Sequence, residues 1–116
     1  EERFAQWRES MAELALCPNV YVKTGGLGMI ITGARWQERP KPPSSQELAQ
    51  AWQPWFDATV DLFGAERCVF ESNFPVDKAM CSYVTLWNAF KRMSADAGTT
   101  EKAALFHDNA ARFYRI

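Results

Sequence analysis

The chain has 116 residues, of which 47% are hydrophobic and 23% are charged, and its formal net charge is −1. This composition is typical of one globular domain at most and excludes a disordered tail. Thirteen basic residues stand against fourteen acidic ones, and no cationic run occurs. We therefore expect no nucleic-acid partner, because such binding depends mainly on positive charge.

No apolar stretch approaches the ~20 residues that a membrane-spanning helix needs. The opening Glu1-Glu2-Arg3 also lacks the layout of a signal peptide, so we expect a cytoplasmic location and no membrane partner. The three cysteines, Cys17, Cys68 and Cys81, are odd in number and widely spaced, which argues against a disulfide framework or a zinc cluster. We expect reduced, mostly buried thiols.

The first part of the chain predicts a helix, a strand and a long loop. From Glu1 to Leu16, large apolar residues recur at the spacings of one buried helix face; they are Phe4, Trp7, Met11 and Leu14. The β-branched and aromatic run Val20 to Thr24 is followed by two glycines, which predicts a strand ending in a tight turn. The stretch from Leu27 to Pro43 contains two glycines and three prolines and predicts a long loop, which is often functional.

The middle of the chain predicts a second helix. Ser44 and Glu47 have the spacing of a capping box at its start, and Gly64 is a natural C-terminal stop. Pro54 lies inside this helix and predicts a kink or a restart, because proline lacks the backbone N–H donor.

The last part predicts a strand and two helices. Arg67 to Asn73 forms a compact strand-like run, and the helix after it is expected to end near Gly98. Thr99 is predicted to cap a last helix, whose buried face is formed by Ala103, Phe106, Ala110 and Phe113.

Two strands that are separated by whole helices cannot form a hairpin and should be adjacent and parallel, in βα units. A parallel sheet needs both edges paired and both faces covered. We therefore expect this chain to be a piece of a larger α/β fold, or to assemble with other chains to complete one.

Three segments of the sequence carry a resemblance to a known family. Pro18–Leu27 looks like its seventh barrel strand, Phe63–Asp77 looks like its eighth, and Phe106–Tyr114 resembles its closing helix. The chain resembles the amidohydrolase-related family of metal-dependent hydrolases, in the branch of sugar-lactone and dicarboxylate-lactone hydrolases. The resemblance implies a (β/α)8 TIM barrel, of which residues 1–116 would be a C-terminal fragment with the last two βα units and the closing helix.

The same resemblance implies a divalent metal such as zinc, held by histidines on the first, fifth and sixth strands. Those strands are absent from this chain. The only histidine, His107, falls in the predicted closing helix, so we expect no metal ligand in this chain and leave its cofactor unknown.

The catalytic candidates lie at the end of the second strand. In the family this strand usually ends in an aspartate within a Ser-Asp-aromatic-Pro sequence, whereas here Asn73 takes that place, and an amide cannot serve as a general base. Glu71 and Asp77 are the alternative carboxylates, and alternation along a strand places Glu71 on the same face as Asn73. A structural ion pair for Glu71 and a helix N-cap for Asp77 remain open.

The substrate-binding candidates follow the first strand. Lys23 either pairs with Glu71 or binds an anionic group, and alternation predicts that both side chains project into the barrel interior, where an unpaired charge is costly. The long loop overhangs the same end of the barrel. Its Arg35, Trp36, Glu38 and Arg39 either form a lid that recognises a carboxylate or make solvated salt bridges.

These features predict a segment of a hydrolase that activates water to attack a lactone, ester or amide carbonyl of a small, anionic substrate. Two alternatives stay open, a non-catalytic remnant that assembles with a companion chain and a metal-dependent decarboxylase of the same superfamily. The expected partners are a small-molecule substrate and the remainder of the barrel or another copy of the chain.

Overall fold

The structure is a computed structural model and describes all of residues 1–116. Its helices and strands are, in chain order, α1 Glu2–Ala15, β1 Val22–Thr24, α2 Ser45–Phe63, β2 Cys68–Phe70, α3 Tyr83–Met93, α4 Thr99–Ala103 and α5 Asn109–Tyr114. A π-helical turn, Ala104–Asp108, joins α4 to α5 without a break. The long loop between β1 and α2 contains only two short 3-10 turns, Ile30–Thr32 and Trp36–Glu38.

The two strands pair in parallel, with Val22 opposite Cys68 and Thr24 opposite Phe70. This confirms the predicted parallel pairing, and α2 connects the two strands. Both strands are shorter than predicted, because Arg67 belongs to a 3-10 turn and Asn73 has a φ of 53°, outside the extended region.

Helix α2 begins with the predicted capping box. The Glu47 N–H donates to Ser44 Oγ at 3.2 Å, and the Ser44 N–H donates to Glu47 Oε2 at 2.8 Å. The hydrogen bond from the Ser44 backbone, followed by the bond from the Arg39 side chain, lowers the pKa of Glu47 to about 2. The predicted restart at Pro54 is wrong: α2 continues through this residue, because the buried Trp52 and Phe56 hold both halves against the core.

The core lies between the sheet and the helices α2 and α3. Phe70 of β2 stacks on Phe56 of α2 and on Phe90 of α3, with ring centres 5.2 and 4.6 Å apart, and also touches Phe106. Phe70 therefore faces the helices, as the alternation along the strand predicts. The side chains on the other face of the sheet are the ones that can enter a barrel interior.

The face of α1 is less buried than predicted. None of its residues is buried, and Leu14 is exposed. Phe4 and Trp7 pack edge-on against Trp55 of α2, with ring centres 4.8 Å apart in both pairs. The helix meets α2 along one side only, which leaves its apolar face half covered.

The prediction of which residues form the buried face of the last helix is also wrong. Leu105 and Asn109 are buried, whereas Ala103 and Phe113 are exposed. The π-helical turn contains one residue more than an α-turn, so the faces before and after it do not follow a single α-helical spacing.

The ends of the helices around this region also differ from the prediction. The N-cap of α4 is Gly98 rather than Thr99, and the Gly98 N–H donates to the Glu101 carboxylate at 2.9 Å. Helix α3 ends at Met93, before the predicted stop near Gly98, and the Oγ of the next residue, Ser94, donates back to the Phe90 carbonyl at 2.9 Å.

The cysteines are all free, and two of the three are buried. Burial raises the pKa of Cys68 to about 12, and burial followed by the charge of Asp77 raises that of Cys81 to about 11. Cys17 is exposed. None of the helices combines the length and the apolar character that crossing a membrane requires.

Candidate functional site

Lys23 and Glu71 meet at the C-terminal ends of the two strands. Lys23 Nζ lies 3.5 Å from Glu71 Oε2, which confirms the predicted contact. The Lys23 side chain is 59% exposed and that of Glu71 is 27% exposed. The neighbouring Thr24 points the other way, is buried, and donates through Oγ1 to the Val69 carbonyl at 3.0 Å. The charged pair thus occupies the face of the sheet opposite the helices.

Gly25 allows the chain to pass close to Glu71 after β1 ends. A Cβ atom at this position would lie 2.7 Å from Glu71 Cγ, and still closer to the Glu71 backbone oxygen. No residue with a side chain fits there without moving the backbone. The absence of a side chain at Gly25 therefore fixes how closely the two strand ends approach.

Asn73 and Asp77 are joined by two hydrogen bonds. Asn73 Nδ2 donates to Asp77 Oδ1 at 2.9 Å, and the Asp77 N–H donates to the Asn73 carbonyl at 3.1 Å. Asp77 is only 3% exposed, and its second oxygen, Oδ2, is buried without a partner. Burial raises the pKa of Asp77, the bond from Asn73 lowers it, and the nearby charge of Glu71 raises it again, for a net increase.

The interpretation of Asp77 as a helix N-cap is wrong. It lies within the 3-10 turn Val76–Ala79, and the N-cap of α3 is Ser82, whose Oγ accepts from the Thr85 N–H at 3.1 Å. The turn shields the Asp77 side chain from solvent. A side chain that only caps a helix does not need to be buried in this way.

We call Lys23, Glu71, Asn73 and Asp77 the strand-end cluster. It holds one ammonium group, one carboxylate paired with it, and a second carboxylate bonded to an amide. A carboxylate that is open to solvent can accept a proton from water, and a buried carboxylate with a raised pKa is suited to holding one. The catalytic and binding roles of these residues stay predictions.

The charged residues of the long loop pair among themselves and with α2. Arg35 Nη1 lies 3.3 Å from Glu38 Oε1, and Arg39 Nη2 lies 2.8 Å from Glu47 Oε1. The Arg39 guanidinium also sits 5.3 Å from the centre of the Trp36 ring. No ion pair joins this loop to the strand-end cluster. The substrate-binding role of Arg35, Glu38 and Arg39 stays a prediction.

An apolar cavity of about 320 Å³ lies between this loop and the turn after β2. Its walls are Gly28, Met29, Ile30, Ile31, Gln37, Val76, Asp77, Ala79 and Met80. The cavity connects the strand-end cluster, through Asp77, to aliphatic side chains that no sequence motif marks as functional.

Asn109 is a structural residue that the pattern of apolar residues missed. It is fully buried in the last helix, and its Nδ2 donates to the Ala65 carbonyl at 2.6 Å and to the Cys68 carbonyl at 2.7 Å. Its Oδ1 accepts from Arg112 at 2.6 Å. Asn109 thus fastens the last helix to the start of β2. An asparagine four residues after the buried Leu105 was the signal for this anchor.

The chain alone does not form the metal site that the resemblance implies. No group of three or more His, Cys, Asp and Glu side chains comes together in an arrangement that could hold a metal ion. His107 lies on the exposed side of the last helix, where its Nδ1 is 2.9 Å from Asp108 Oδ1.

Parallel strands joined by a helix, with polar side chains at their C-terminal ends, are typical of the βα units of an α/β barrel. A family model for amidohydrolases, Amidohydro_2, matches residues 1–116. The chain belongs to the amidohydrolase family, which confirms the resemblance in the sequence.

Individual relatives agree with this assignment. The chain is 41% identical over 113 residues to the protein y4mH of Sinorhizobium fredii, and 31% identical over 113 residues to an L-fucono-1,5-lactonase of Burkholderia multivorans. These alignments cover 97% of this chain but 34% and 36% of the two relatives. The chain thus spans about a third of the length of the curated relatives that it matches.

Solved structures give the same result for the fold. Two crystal structures of an amidohydrolase from Burkholderia multivorans, one with bound HEPES and one with bound zinc, match with a TM-score of 0.81 and 31% identity. The match covers 97% of this chain and 37% of that protein. The two βα units and the closing helical segment are therefore part of an amidohydrolase barrel fold.

Proposed function

We propose that this chain works within a complete (β/α)8 barrel, as its C-terminal part, and that the complete protein hydrolyses a lactone, ester or amide of a small, anionic molecule. The observation that carries the proposal is the strand-end cluster: two carboxylates follow β2, and Lys23 of the adjacent parallel strand lies beside one of them, in a member of the amidohydrolase family. Barrel enzymes place their catalytic groups at this end of the strands.

A sugar-acid lactone is the substrate class that we favour. Two relatives are named L-fucono-1,5-lactonase. The similarity of this chain to them is our reason for proposing a lactone substrate. Hydrolysis adds water to the carbonyl carbon and breaks the bond to the ring oxygen. One group must take the proton from water, and the ring oxygen must receive a proton as it leaves.

Glu71 is our candidate for the group that takes this proton. Its carboxylate is partly open to solvent and lies 3.5 Å from Lys23 Nζ, and a positioned carboxylate can act as a general base. Asn73 occupies the position where the family usually has an aspartate and has no carboxylate of its own. Lys23 is also placed to bind an anionic group of the substrate.

A second candidate function is a non-catalytic module that assembles with a companion chain or with another copy. The specific observation in its favour is Asn73, since the amide side chain cannot accept the proton that the family mechanism assigns to an aspartate. We also propose a cytoplasmic location, which the three free cysteines support.

The test is an assay of the barrel protein that contains this chain. Aldonic-acid lactones, dicarboxylate lactones and simple esters are incubated with the purified protein and acid release is followed by pH-stat titration, while release of amine from simple amides is followed by chromatography. We expect hydrolysis of at least one lactone and its loss in Glu71→Gln, with Glu9→Gln of the exposed α1 surface as the matched control. Release of carbon dioxide from carboxylic acids would support a decarboxylase instead, and inactivity on every compound would support the non-catalytic module.

A further inference from the structure

We infer that Asp77 is a positioning residue that fixes the orientation of the Asn73 amide, so that Asn73 presents its oxygen, Oδ1, as a hydrogen-bond acceptor for a hydroxyl group of a bound ligand. The inference deepens the proposed function, because the hydroxyl group would belong to the substrate of that site. Its first test uses the orientation of the amide alone and requires no turnover.

The hydrogen bond between the two side chains determines which way the amide faces. An ionised carboxylate only accepts hydrogen bonds, whereas an amide donates from nitrogen and accepts at oxygen. Asn73 Nδ2 therefore faces Asp77 Oδ1, at 2.9 Å, and Oδ1 of the same amide points away from Asp77. Asp77 is 3% exposed and has no freedom to swing toward solvent, so the amide is held against a fixed partner.

The backbone of the turn reinforces this arrangement. The Asp77 N–H donates to the Asn73 carbonyl at 3.1 Å, which closes the same turn a second time. Asn73 has a φ of 53°, a left-handed conformation that asparagine tolerates better than most residues. Gly26 lies alongside, since a Cβ atom there would be 3.3 Å from Asn73 Nδ2 and 3.5 Å from Cγ. The amide is thus confined from two sides.

The oxygen of the amide has no partner within the chain. The bond from Asn73 Nδ2 is the only side-chain hydrogen bond of this residue. Oδ1 is not one of the buried polar atoms that lack a partner. The two carboxyl groups of Glu71 and Asp77 lie near Asn73, against the single ammonium group of Lys23. A ligand carboxylate is therefore disfavoured at Oδ1, and a neutral donor such as a hydroxyl group suits it.

This geometry also explains why a carboxylate at position 73 conflicts with Asp77. In Asn73→Asp, two carboxylates would replace a donor and an acceptor that lie 2.9 Å apart, and one of them would have to keep a proton. The double exchange Asn73→Asp with Asp77→Asn restores one amide and one carboxylate. The exchange therefore reverses the direction of the hydrogen bond while it preserves the pair.

The first experiment is a side-chain amide NMR titration of the barrel protein that contains this chain. The Asn73 NH₂ signals are assigned by their absence in Asn73→Asp. We expect them to shift with pH as Asp77 titrates, and to lose this response in Asp77→Asn but not in the control Asp96→Asn, an exposed residue. Should Asp77→Asn fail to fold, the double exchange gives the same comparison, with the new amide at position 77 following the ionisation of the new carboxylate at position 73. Asn73 signals that ignore the ionisation of Asp77 would overturn the inference.

The second experiment separates positioning from a structural role. With a substrate that the wild-type protein hydrolyses, Asp77→Asn is expected to raise KM about two- to tenfold, the equivalent of one hydrogen bond, with a smaller change in kcat and no decrease in the urea midpoint at neutral pH. A loss of stability without a change in KM would contradict the positioning role. If the wild-type protein hydrolyses nothing, the proposed function fails, while the NMR titration still decides the orientation of Asn73.

Discussion

Lys23 Nζ lies 3.5 Å from Glu71 Oε2 across the two parallel strands, and both side chains keep contact with solvent. A pair that is open to water to this extent contributes about 0–1 kcal/mol, well below the ~3–5 kcal/mol lost when one partner of a fully buried pair is removed. Within residues 1–116 the contact therefore contributes little to folding, and its position at the strand ends matters more for chemistry.

Glu71→Gln should separate these two roles in the complete barrel protein. We expect the barrel protein to stay folded and its turnover to fall about a hundredfold or more, because general bases contribute that much. Urea denaturation and initial rates measure the two effects. A folded variant with wild-type turnover would remove Glu71 from the mechanism, and a variant that unfolds would assign it a structural role.

The pH dependence of stability should reveal Asp77. Its pKa in the folded protein is raised from 3.8 by burial, so the folded state keeps a proton that the unfolded state has lost. The contribution of Asp77 is fully present below pH 3.8 and is lost as the pH rises through the raised pKa. As the pH is raised in steps from that value, the urea midpoint of wild type should therefore decrease relative to that of Asp77→Asn. A difference between the two midpoints that stays constant with pH would contradict the raised pKa of Asp77.

Glu47 supplies a control of the opposite sign. Its pKa is lowered from 4.5 to about 2, mainly by the hydrogen bond from the Ser44 backbone. Its contribution is present above pH 4.5 and is lost as the pH falls toward 2. Glu47→Gln should thus flatten the acid side of the stability curve and leave the slope above pH 4.5 unchanged, whereas a changed slope above that pH would point to a different group.

Gly25→Ala should disturb the strand ends. The new methyl group would collide with the Glu71 backbone, and overpacking of this kind typically costs about 1–3 kcal/mol. Gly98→Ala is the matched control, because its Cβ atom would meet only Glu101 Oε2 at an ordinary 3.7 Å. Thermal unfolding of the two variants measures the difference. Equal stability would mean that the loop after β1 moves away from Glu71 at little cost.

Asn109→Ala should loosen the last helix. The Ala65 and Cys68 carbonyls lose their shared donor, and buried groups left unpaired cost about 1–3 kcal/mol each, so a loss of about 2–6 kcal/mol is expected. Asn88→Ala, on the exposed side of α3, should stay within about 0.5 kcal/mol of wild type. Chemical denaturation of both variants provides the comparison, and a mild effect at Asn109 would mean that water replaces its amide.

Several parts of this fold follow from local patterns. The contact of Lys23 with Glu71 required only two parallel neighbouring strands and the alternation of side chains. The capping box at Ser44 and Glu47 was equally predictable, since its atoms lie within one turn of helix and depend on no distant partner. The capping box is decided by residues that are close in sequence, and the contact of Lys23 with Glu71 follows once the two strands are paired, so the sequence predicts both.

Other parts depend on tertiary contacts that no local pattern records. Asp77 has the sequence context of a capping residue, and only the path of the turn over β2 makes it buried and bonded to Asn73. Arg39 was equally free to reach the strand ends or the start of α2, and its pairing with Glu47 depends on how the long loop folds back. The pattern of apolar residues missed the anchor at Asn109, because a buried amide interrupts that pattern.

The π-helical turn Ala104–Asp108 makes the last helix unequally tolerant of changes in length. Deleting one residue inside this turn would leave a regular α-helix and keep the orientation of the part that follows, because the wide turn holds one residue more than an α-turn for about the same rotation. Deleting one residue of Thr99–Ala103 would instead rotate the part that follows by about 100°, and the Asn109 amide would leave the carbonyls that it now binds. Variants of this chain that differ in length should therefore place their gaps in the wide turn or after Tyr114.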